Sequence, residues 1–384
     1  MKFRKIAYQL HLWIGLVSGI IVFIVCLTGA IWAVGINGWV GSTNESLKVP
    51  AENSRLLLPS ELFELSKDSL QGYPPKSISY GKGEATYIRS YGKDHSLEIS
   101  VNPYQGEILK VKNNRENGEY KYTLWDYMRW GHRALWLPWE VGQVIVNYGT
   151  LAFVVVLITG LIIWFPKSKK AAKNRLWFNW KKSTPTKRKI FDLHSVLGFY
   201  ICFILLAVAI TGMVWGIEWW SKGLYKISSG GKDLPEWTVA KSDSLNIDNS
   251  MTINSAVDRI FEKLVNENPE AEYINISVPD STDNLSAVDA TVYVNKDTYY
   301  NSDRYSFDRY SLKEIKIDGP YNGKYAEADF GDKFRRMNYE IHIGAIFGTP
   351  GRILVFLSAL FGASLPVSGL YIYIKMRSKK KKKK

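Results

Sequence analysis

Five histidines occur in a chain of 384 residues, and four of them occupy matching places. His11 and His194 stand at the start of two long uncharged runs, and His132 and His342 stand shortly before two others. Imidazole is a common metal ligand and titrates near neutral pH. Two imidazoles facing each other at one depth can supply both axial ligands of one haem iron, because ferric and ferrous iron accept a nitrogen at each pole of the porphyrin plane. Four such histidines would serve two b-type haems, and the C-x-x-C-H attachment motif of a c-type haem is absent. Other readings stay open. Zinc prefers four ligands, often with Cys or carboxylates among them, and only two histidines share each depth. A histidine at a helix end is also an ordinary interfacial or capping residue. Cys26 and Cys202 both fall in apolar runs, which excludes a disulfide scaffold, a C-x-x-C redox motif and a Cys-ligated iron–sulfur cluster and leaves them as small fillers. His95 has no partner of its kind and reads as a solvated surface residue.

The elements that must position these histidines are membrane helices. Mean hydropathy is −0.14, yet Leu12–Val34, Val141–Phe165, Ser195–Ile217 and Ile353–Ile374 contain no charged residue. Each suffices for a hydrocarbon core of about 30 Å, which takes roughly 20 helical residues. The fold class expected is therefore an α-helical membrane protein, a bundle of four transmembrane helices with two extracytoplasmic α+β modules. The spans are placed at 12–34, 141–165, 194–217 and 346–374, and the modules at 35–140 and 218–345. A basic loop at 166–193 and a Lys-rich tail at 375–384 complete the chain. Lys2, Arg4 and Lys5 before the first run invite a signal-peptide reading, but that run exceeds the usual apolar core of about 7–15 residues.

Charge gives the expected orientation. Residues 1–10 carry three Lys/Arg, residues 166–193 carry ten against the single Asp192, and the tail from Lys375 carries eight. Basic short loops stay in the cytoplasm, so both termini are expected there and both modules outside, in a cell inner membrane. The net charge of +14 then reflects topology and attraction to anionic lipid rather than nucleic acid. Tryptophans near the span ends, such as Trp32, Trp139, Trp164 and Trp215, suit the headgroup zone.

The chain also reads as a tandem repeat. At a shift of 183, Leu10-His11 falls on Leu193-His194, Gly15 on Gly198, Thr28-Gly29 on Thr211-Gly212 and Trp32 on Trp215. At 209, Gly142 falls on Gly351 and Gly160 on Gly369, with His132 and His342 one residue out of step. A parallel repeat implies a pseudo-two-fold axis along the membrane normal. In the first module Pro59–Leu70 reads as a helix, followed by strands at Ser77–Tyr80, Thr86–Tyr91 and Leu97–Val101, and the turn Asn102–Gly106 leads to Glu107–Val111. In the second, Ile253–Val265 is the helix and Tyr273–Val278, Ala287–Val294 and Tyr305–Phe307 the strands, with the turn Asp308–Leu312 leading to Lys313–Ile317. The linkers 35–53 and 221–249 are polar.

Gly15, Gly19, Gly198, Gly344, Gly348 and Gly351 allow either close helix packing or room for a flat macrocycle. Thr28-Gly29 and Thr211-Gly212 read as helix-packing positions. Arg129, Arg133, Arg335, Arg336 and Arg352 near the outer histidines, and Lys5, Arg188 and Lys189 near the inner ones, suit either interfacial anchoring or haem propionates.

Leu10–Leu16 with Leu27-Thr28-Gly29-Ala30, and Asp192-Leu193-His194, resemble the PepSY-associated transmembrane helix family. So do Tyr339–Gly344, Thr349-Pro350-Gly351 and Leu365–Gly369, and the Asn102–Glu107 turn resembles the hairpin of PepSY modules. Leu312 stands where the first hairpin has Gly106, a departure from the pattern. The chain is similar to the ferric-siderophore reductases of the FoxB type within that family. The resemblance implies two bis-His b-type haems on His11, His194, His132 and His342. It also implies reduction of a ferric siderophore on the periplasmic side, with iron released because siderophores hold ferrous iron far less tightly. A cytoplasmic or quinol donor would supply the electrons. No flavin or nicotinamide site is expected: the predicted cytoplasmic segments are short, and no G-x-G-x-x-G follows a strand. The competing reading, also from the family, is a non-redox membrane-anchored PepSY module that binds peptides, regulates a protease or senses the envelope. A transporter for haem or a chelate is a third.

Overall fold

The structure is a computed structural model that describes residues 2–40, 46–52, 54–116, 118–166, 168, 172, 175–243 and 250–381. It divides into two compact units, one built from Met1–Asn44, Tyr122–Gly223 and Asn338–Lys384, the other from Glu45–Lys121 and Leu224–Met337.

The first unit is helical. Helix α1 runs Lys2–Ile36, so the helix begins well before the uncharged run. Helices α3 (Leu124–Ala134) and α4 (Trp139–Trp164) follow later in the chain. The third apolar segment is composite: α5 (Thr186–Asp192), a π-helical turn at Leu193–Leu197, α6 (Gly198–Gly212) and a 3-10 turn at Met213–Trp215. The last residues assigned to the cytoplasmic loop thus belong to this helix. The fourth span lies in α10, Gly348–Lys381, which continues through Pro366. Among the described residues four segments are long and apolar enough to cross a membrane: Lys2–Ile36, Trp139–Trp164, Thr186–Trp215 and Ala345–Lys375. The protein is a multi-pass membrane protein. Helix α1 packs on α4 and α10, and α6 packs on the same two, so α1 and α6 face each other within the bundle. An apolar cluster of Val22, Phe153, Leu157, Ile201, Cys202 and Leu205, with Cys26 against it, fills the middle. Both cysteines are free and act as the small fillers expected.

The second unit is one antiparallel sheet. The strands are β1 (Ser77–Gly81), β2 (Thr86–Tyr91), β3 (Ser96–Val101), β4 (Ile108–Asn113), β7 (Tyr273–Ser277), β8 (Val288–Tyr293) and β9 (Asp303–Phe307), in the order β4-β3-β2-β1-β7-β8-β9. Short strands β5 (Arg115–Glu116) and β6 (Glu119–Tyr120) form a separate ribbon. The two modules expected from the sequence are therefore joined: β1 pairs with β7, Ile78 opposite Ile276 and Ser79 opposite Asn275. Each module alone would leave an edge of unpaired peptide groups there, and pairing the two edges removes both. Helices α2 (Pro59–Leu65) and α8 (Ile253–Glu267) pack together, and their apolar faces share one core with the strands, including Leu62, Ile78, Ile88, Ile260, Leu264 and Phe307. The Ser60 amide and hydroxyl both donate to the Asp258 carboxylate, at 2.8 and 2.5 Å. Burial raises the Asp258 carboxyl above its ordinary range.

The two hairpin turns match in detail. The Asn102 amide donates to the Glu107 carbonyl and the Gly106 amide to Asn102; the Asp308 amide donates to Lys313 and the Leu312 amide to Asp308. Gly106 and Leu312 both adopt the left-handed conformation, at φ 73° and 60°. The strand expected at Lys313–Ile317 is reduced to an isolated bridge between Phe307 and Glu314. The second linker also departs from expectation, since α7, Glu218–Ser228, occupies its start.

Candidate functional site

His11 lies inside α1, and His194 lies in the π-helical turn between α5 and α6. Such single π turns inside α-helices often occur at functional positions. Their imidazoles face each other with ring centres 6.3 Å apart and planes at 86°. His132 and His342 are carried differently, in the last turns of α3 and of α9 (Phe330–Ile343), two short helices that precede the second and fourth spans. The sequence places these histidines ahead of the spans, and the structure adds the helices that carry them. Helix α3 starts at a reciprocal Thr123–Asp126 capping box and ends at Leu135 in the left-handed conformation; α9 is followed by Gly344, also left-handed. The outer rings stand 6.2 Å apart with planes at 59°. Trp32 lies 5.9 Å from His132, and Trp215 lies 5.2 Å from His342. His95 is in neither group. It stacks on Tyr73 at 3.7 Å and bonds to Ser90 and Asp94, so it is a packed structural residue rather than a solvated one.

Each of the four rings is fixed through Nδ1. His11 Nδ1–H donates to the Val156 carbonyl at 2.9 Å, His132 to Val25 at 2.8 Å and His342 to Val208 at 2.9 Å. His194 uses the Ser368 hydroxyl, at 2.9 Å. A carbonyl can only accept, and the Ser368 hydroxyl already donates to the carbonyls of Ser364 and Leu365, so Nδ1 holds the proton and a neutral ring keeps its lone pair on Nε2, the nitrogen left for a metal.

A recurring local device makes these bonds possible. Val25, Val156 and Val208 are each followed three residues later by threonine (Thr28, Thr159, Thr211) and four later by glycine (Gly29, Gly160, Gly212), and Leu365 by Ser368 and Gly369. Each hydroxyl bonds back to its own helix, as Thr159 does to Val155 at 2.7 Å and Val156 at 3.1 Å. Each glycine opens the helix surface to an imidazole. A Cβ would stand 2.7 Å from His132 Nδ1 at Gly29 and 3.0 Å from His342 Cε1 at Gly212. It would stand 3.1 Å from His11 Cε1 at Gly160 and 3.3 Å from His194 Cε1 at Gly369. Thr28-Gly29 and Thr211-Gly212 are thus not helix-packing positions alone, because they receive the outer histidines. The signal that could have found them is the recurrence of Ser/Thr-Gly on the spanning helices, where one copy receives each histidine and Ser18-Gly19 receives none.

The spacing suits one metal ion between each pair. Imidazoles bound on opposite sides of an ion, with metal–nitrogen bonds of about 2 Å, have ring centres roughly 6.3 Å apart. Among the described residues no group of three or more His, Cys, Asp or Glu converges, so each pair offers two protein ligands. That donor set fits an ion whose other ligands come from a planar macrocycle, and not a closed four-ligand zinc site. Around the inner pair lies a cavity of about 320 Å³, lined by both histidines, Gly15, Gly19, Gly198 and Arg175 among others. A Cβ built on Gly15 would touch Val156 at 3.8 Å and one on Gly198 would touch Leu365 at 3.6 Å, ordinary van der Waals contacts, so neither glycine is crowded by a neighbouring helix.

The basic residues distribute unevenly. Lys5, Arg188 and Lys189 do not line the cavity; Arg188 pairs with Asp192 at 2.9 Å and Lys189 lies over Trp180. In the helical unit Arg129 pairs with Asp126, Arg133 lies over the Trp139 ring at 4.7 Å, and Arg352 donates to Asn37. Burial, with Arg129 nearby, lowers the Arg133 guanidinium. In the sheet unit Arg335 lies over Tyr321, while buried Arg336 donates to the carbonyls of Pro320, Ser302 and Asn322. Arg336 therefore braces its own loops and is not available to a ligand as the sequence suggested.

A family model described as the PepSY-associated TM region matches residues 8–375. No curated protein matches the chain.

Proposed function

From the premise that this chain belongs to the PepSY-associated transmembrane family, we propose that it is a dihaem electron conduit of the inner membrane that reduces ferric siderophores on the periplasmic side. Both termini are cytoplasmic in this reading, as the positive loops favour, and the donor is a cytoplasmic protein or a quinol. The observation that carries it is the pair of opposed imidazole couples at 6.3 and 6.2 Å, each ring pinned through Nδ1. His11 with His194, and His132 with His342, would each hold one haem. A b-type haem at each pair supplies one-electron ferric/ferrous chemistry.

The protein's own residues do the rest. The carbonyl and hydroxyl acceptors hold the imidazole tautomer and raise its basicity, which tunes the metal. The glycines let the rings reach those acceptors. The two levels lie roughly 24 Å apart along α1 at about 1.5 Å rise per residue, near opposite ends of a bilayer core. The matching carbonyl-hydroxyl-glycine sets at shifts of 183 and 209 support a tandem duplication with one imidazole pair at each level.

The test is a visible and EPR spectrum of the purified chain with a haem assay, then reduction of a ferric siderophore by vesicles holding it. The reading expects two haems per chain, sharp reduced α and β bands, and two low-spin signals. The inner signal should be the more anisotropic, since its ring planes are nearer perpendicular (86° against 59°). A folded chain, made with ample haem, that is colourless overturns the reading and leaves the peptide-binding anchor.

A further inference from the structure

The inner cavity has a cationic end that the histidines do not explain. Arg4 of α1 and Arg175 both donate to the Ile163 carbonyl, and Arg175 also donates to the Trp164 carbonyl. These are the last carbonyls of α4, where the helix dipole favours positive charge. Two guanidinium groups meeting on one carbonyl repel each other. Burial together with Arg4 lowers the Arg175 guanidinium accordingly. Neither has an acidic partner among the described residues, and each guanidinium has five N–H donors, more than these carbonyls take up. Arg175 lines the cavity that holds His11 and His194. The Trp164 side chain also lines the cavity; its ring stacks on Phe199 at 3.6 Å and its indole N–H is buried with no partner among the described residues. Two guanidinium groups with N–H donors to spare, one of them lining the cavity, call for a carboxylate or phosphate.

We propose that Arg175, with Arg4 behind it on the same Ile163 carbonyl, forms an anion clamp for the carboxylate groups of the macrocycle in the inner cavity. Arg4 stands seven residues before His11, two helical turns along α1 and about 10 Å away, which puts the clamp beside the imidazole pair and not on it. The proposal rests on the haem reading above and names the residues that orient the group there. It replaces Lys5, Arg188 and Lys189 in that role.

The test titrates the haem-free full chain with haem and with haem dimethyl ester, whose carboxylates are masked, and follows the inner site by its own EPR signal and midpoint potential. Wild type should bind haem about tenfold or more tighter than the ester at the inner site, as expected for lost charged hydrogen bonds. Arg175→Gln should remove most of that preference, lower haem affinity about tenfold and leave ester affinity unchanged. Arg175→Lys should restore part of it, and Arg4→Gln with Arg175→Gln should abolish it. If wild type takes up no haem at this site, the haem reading falls and the clamp with it. If wild type takes up haem but Arg175→Gln binds haem and ester as wild type does, the clamp alone is wrong. Unchanged haem affinity with loss of co-purifying phosphatidylglycerol would give these arginines to a lipid phosphate and also overturn it.

Discussion

The inner and outer imidazole pairs reach nearly the same separation, 6.3 and 6.2 Å, by different routes. The inner histidines sit on the spanning helices themselves, one in regular α-helix and one in a π-helical turn. The outer histidines ride on short helices that turn back through left-handed residues before the next span begins. What stays constant is the receiving surface: a helix with a bared acceptor, a hydroxyl one turn on and a glycine beside it. The constellation is thus defined by the acceptor helices more than by the element that carries the imidazole. A ring fixed at Nδ1 and met by a glycine has few orientations left, whichever backbone delivers it.

The largest effects should come from the imidazoles. His11→Ala or His194→Ala should remove one haem equivalent and the more anisotropic EPR signal. His132→Ala or His342→Ala should remove the other equivalent and leave the inner signal intact. Vesicle reduction of a ferric siderophore should fall to background in all four, because either level interrupts the path. Any single variant that keeps two haems and both signals breaks the pairing.

The glycines sharpen the comparison further. Alanine at Gly29 puts a methyl 2.7 Å from His132 Nδ1, and at Gly369 one 3.3 Å from His194 Cε1, with Gly212 and Gly160 between at 3.0 and 3.1 Å. Overpacking of this kind costs about 1–3 kcal/mol, or roughly five- to 150-fold in affinity. Haem affinity at the affected level should therefore fall most for Gly29→Ala, less for Gly212→Ala and Gly160→Ala, and least for Gly369→Ala. Outer-level variants should spare the inner haem and the reverse. Equal, level-independent losses would mean that the glycines serve bundle packing alone.

How far these features were legible varies with the range of the interaction behind them. The apolar runs, the two depths of the histidines and most strands follow from local pattern, since hydropathy and alternation act over a few residues. The joining of the two modules does not, because Ser79 and Asn275 pair across almost 200 intervening residues and nothing local marks either as a partner. Helices α3 and α9 are harder to read because charged residues such as Asp126, Arg129, Asp332 and Arg336 hold their mean hydropathy low. The Ser/Thr-Gly pairs were visible but read as packing, since a small residue on a membrane helix usually means that. Leu312 shows the opposite case. It departs from glycine, yet it takes the same left-handed position as Gly106, held by the same Asx-type turn and by contact with the sheet core.

The smallest effect separates the two inner histidines from each other. His11 bonds to a main-chain carbonyl, which no substitution at Val156 removes, whereas His194 bonds to the Ser368 hydroxyl as well as to the Leu365 main chain. Ser368→Ala deletes the hydroxyl acceptor and leaves the Leu365 main-chain partner in place. An Nδ1 acceptor makes the imidazole a stronger donor and favours ferric iron, so its loss should raise the inner midpoint potential. A hydrogen bond of about 1 kcal/mol corresponds to roughly 40 mV for one electron. Ser368→Thr, which keeps the hydroxyl, should return the potential towards wild type, and Val156→Ala should leave it within roughly 10 mV. Spectroelectrochemical titration reads all three, with the outer haem as internal reference. A fall in potential on Ser368→Ala, or an equal shift on Val156→Ala, would show that Ser368 shapes the cavity and does not tune His194.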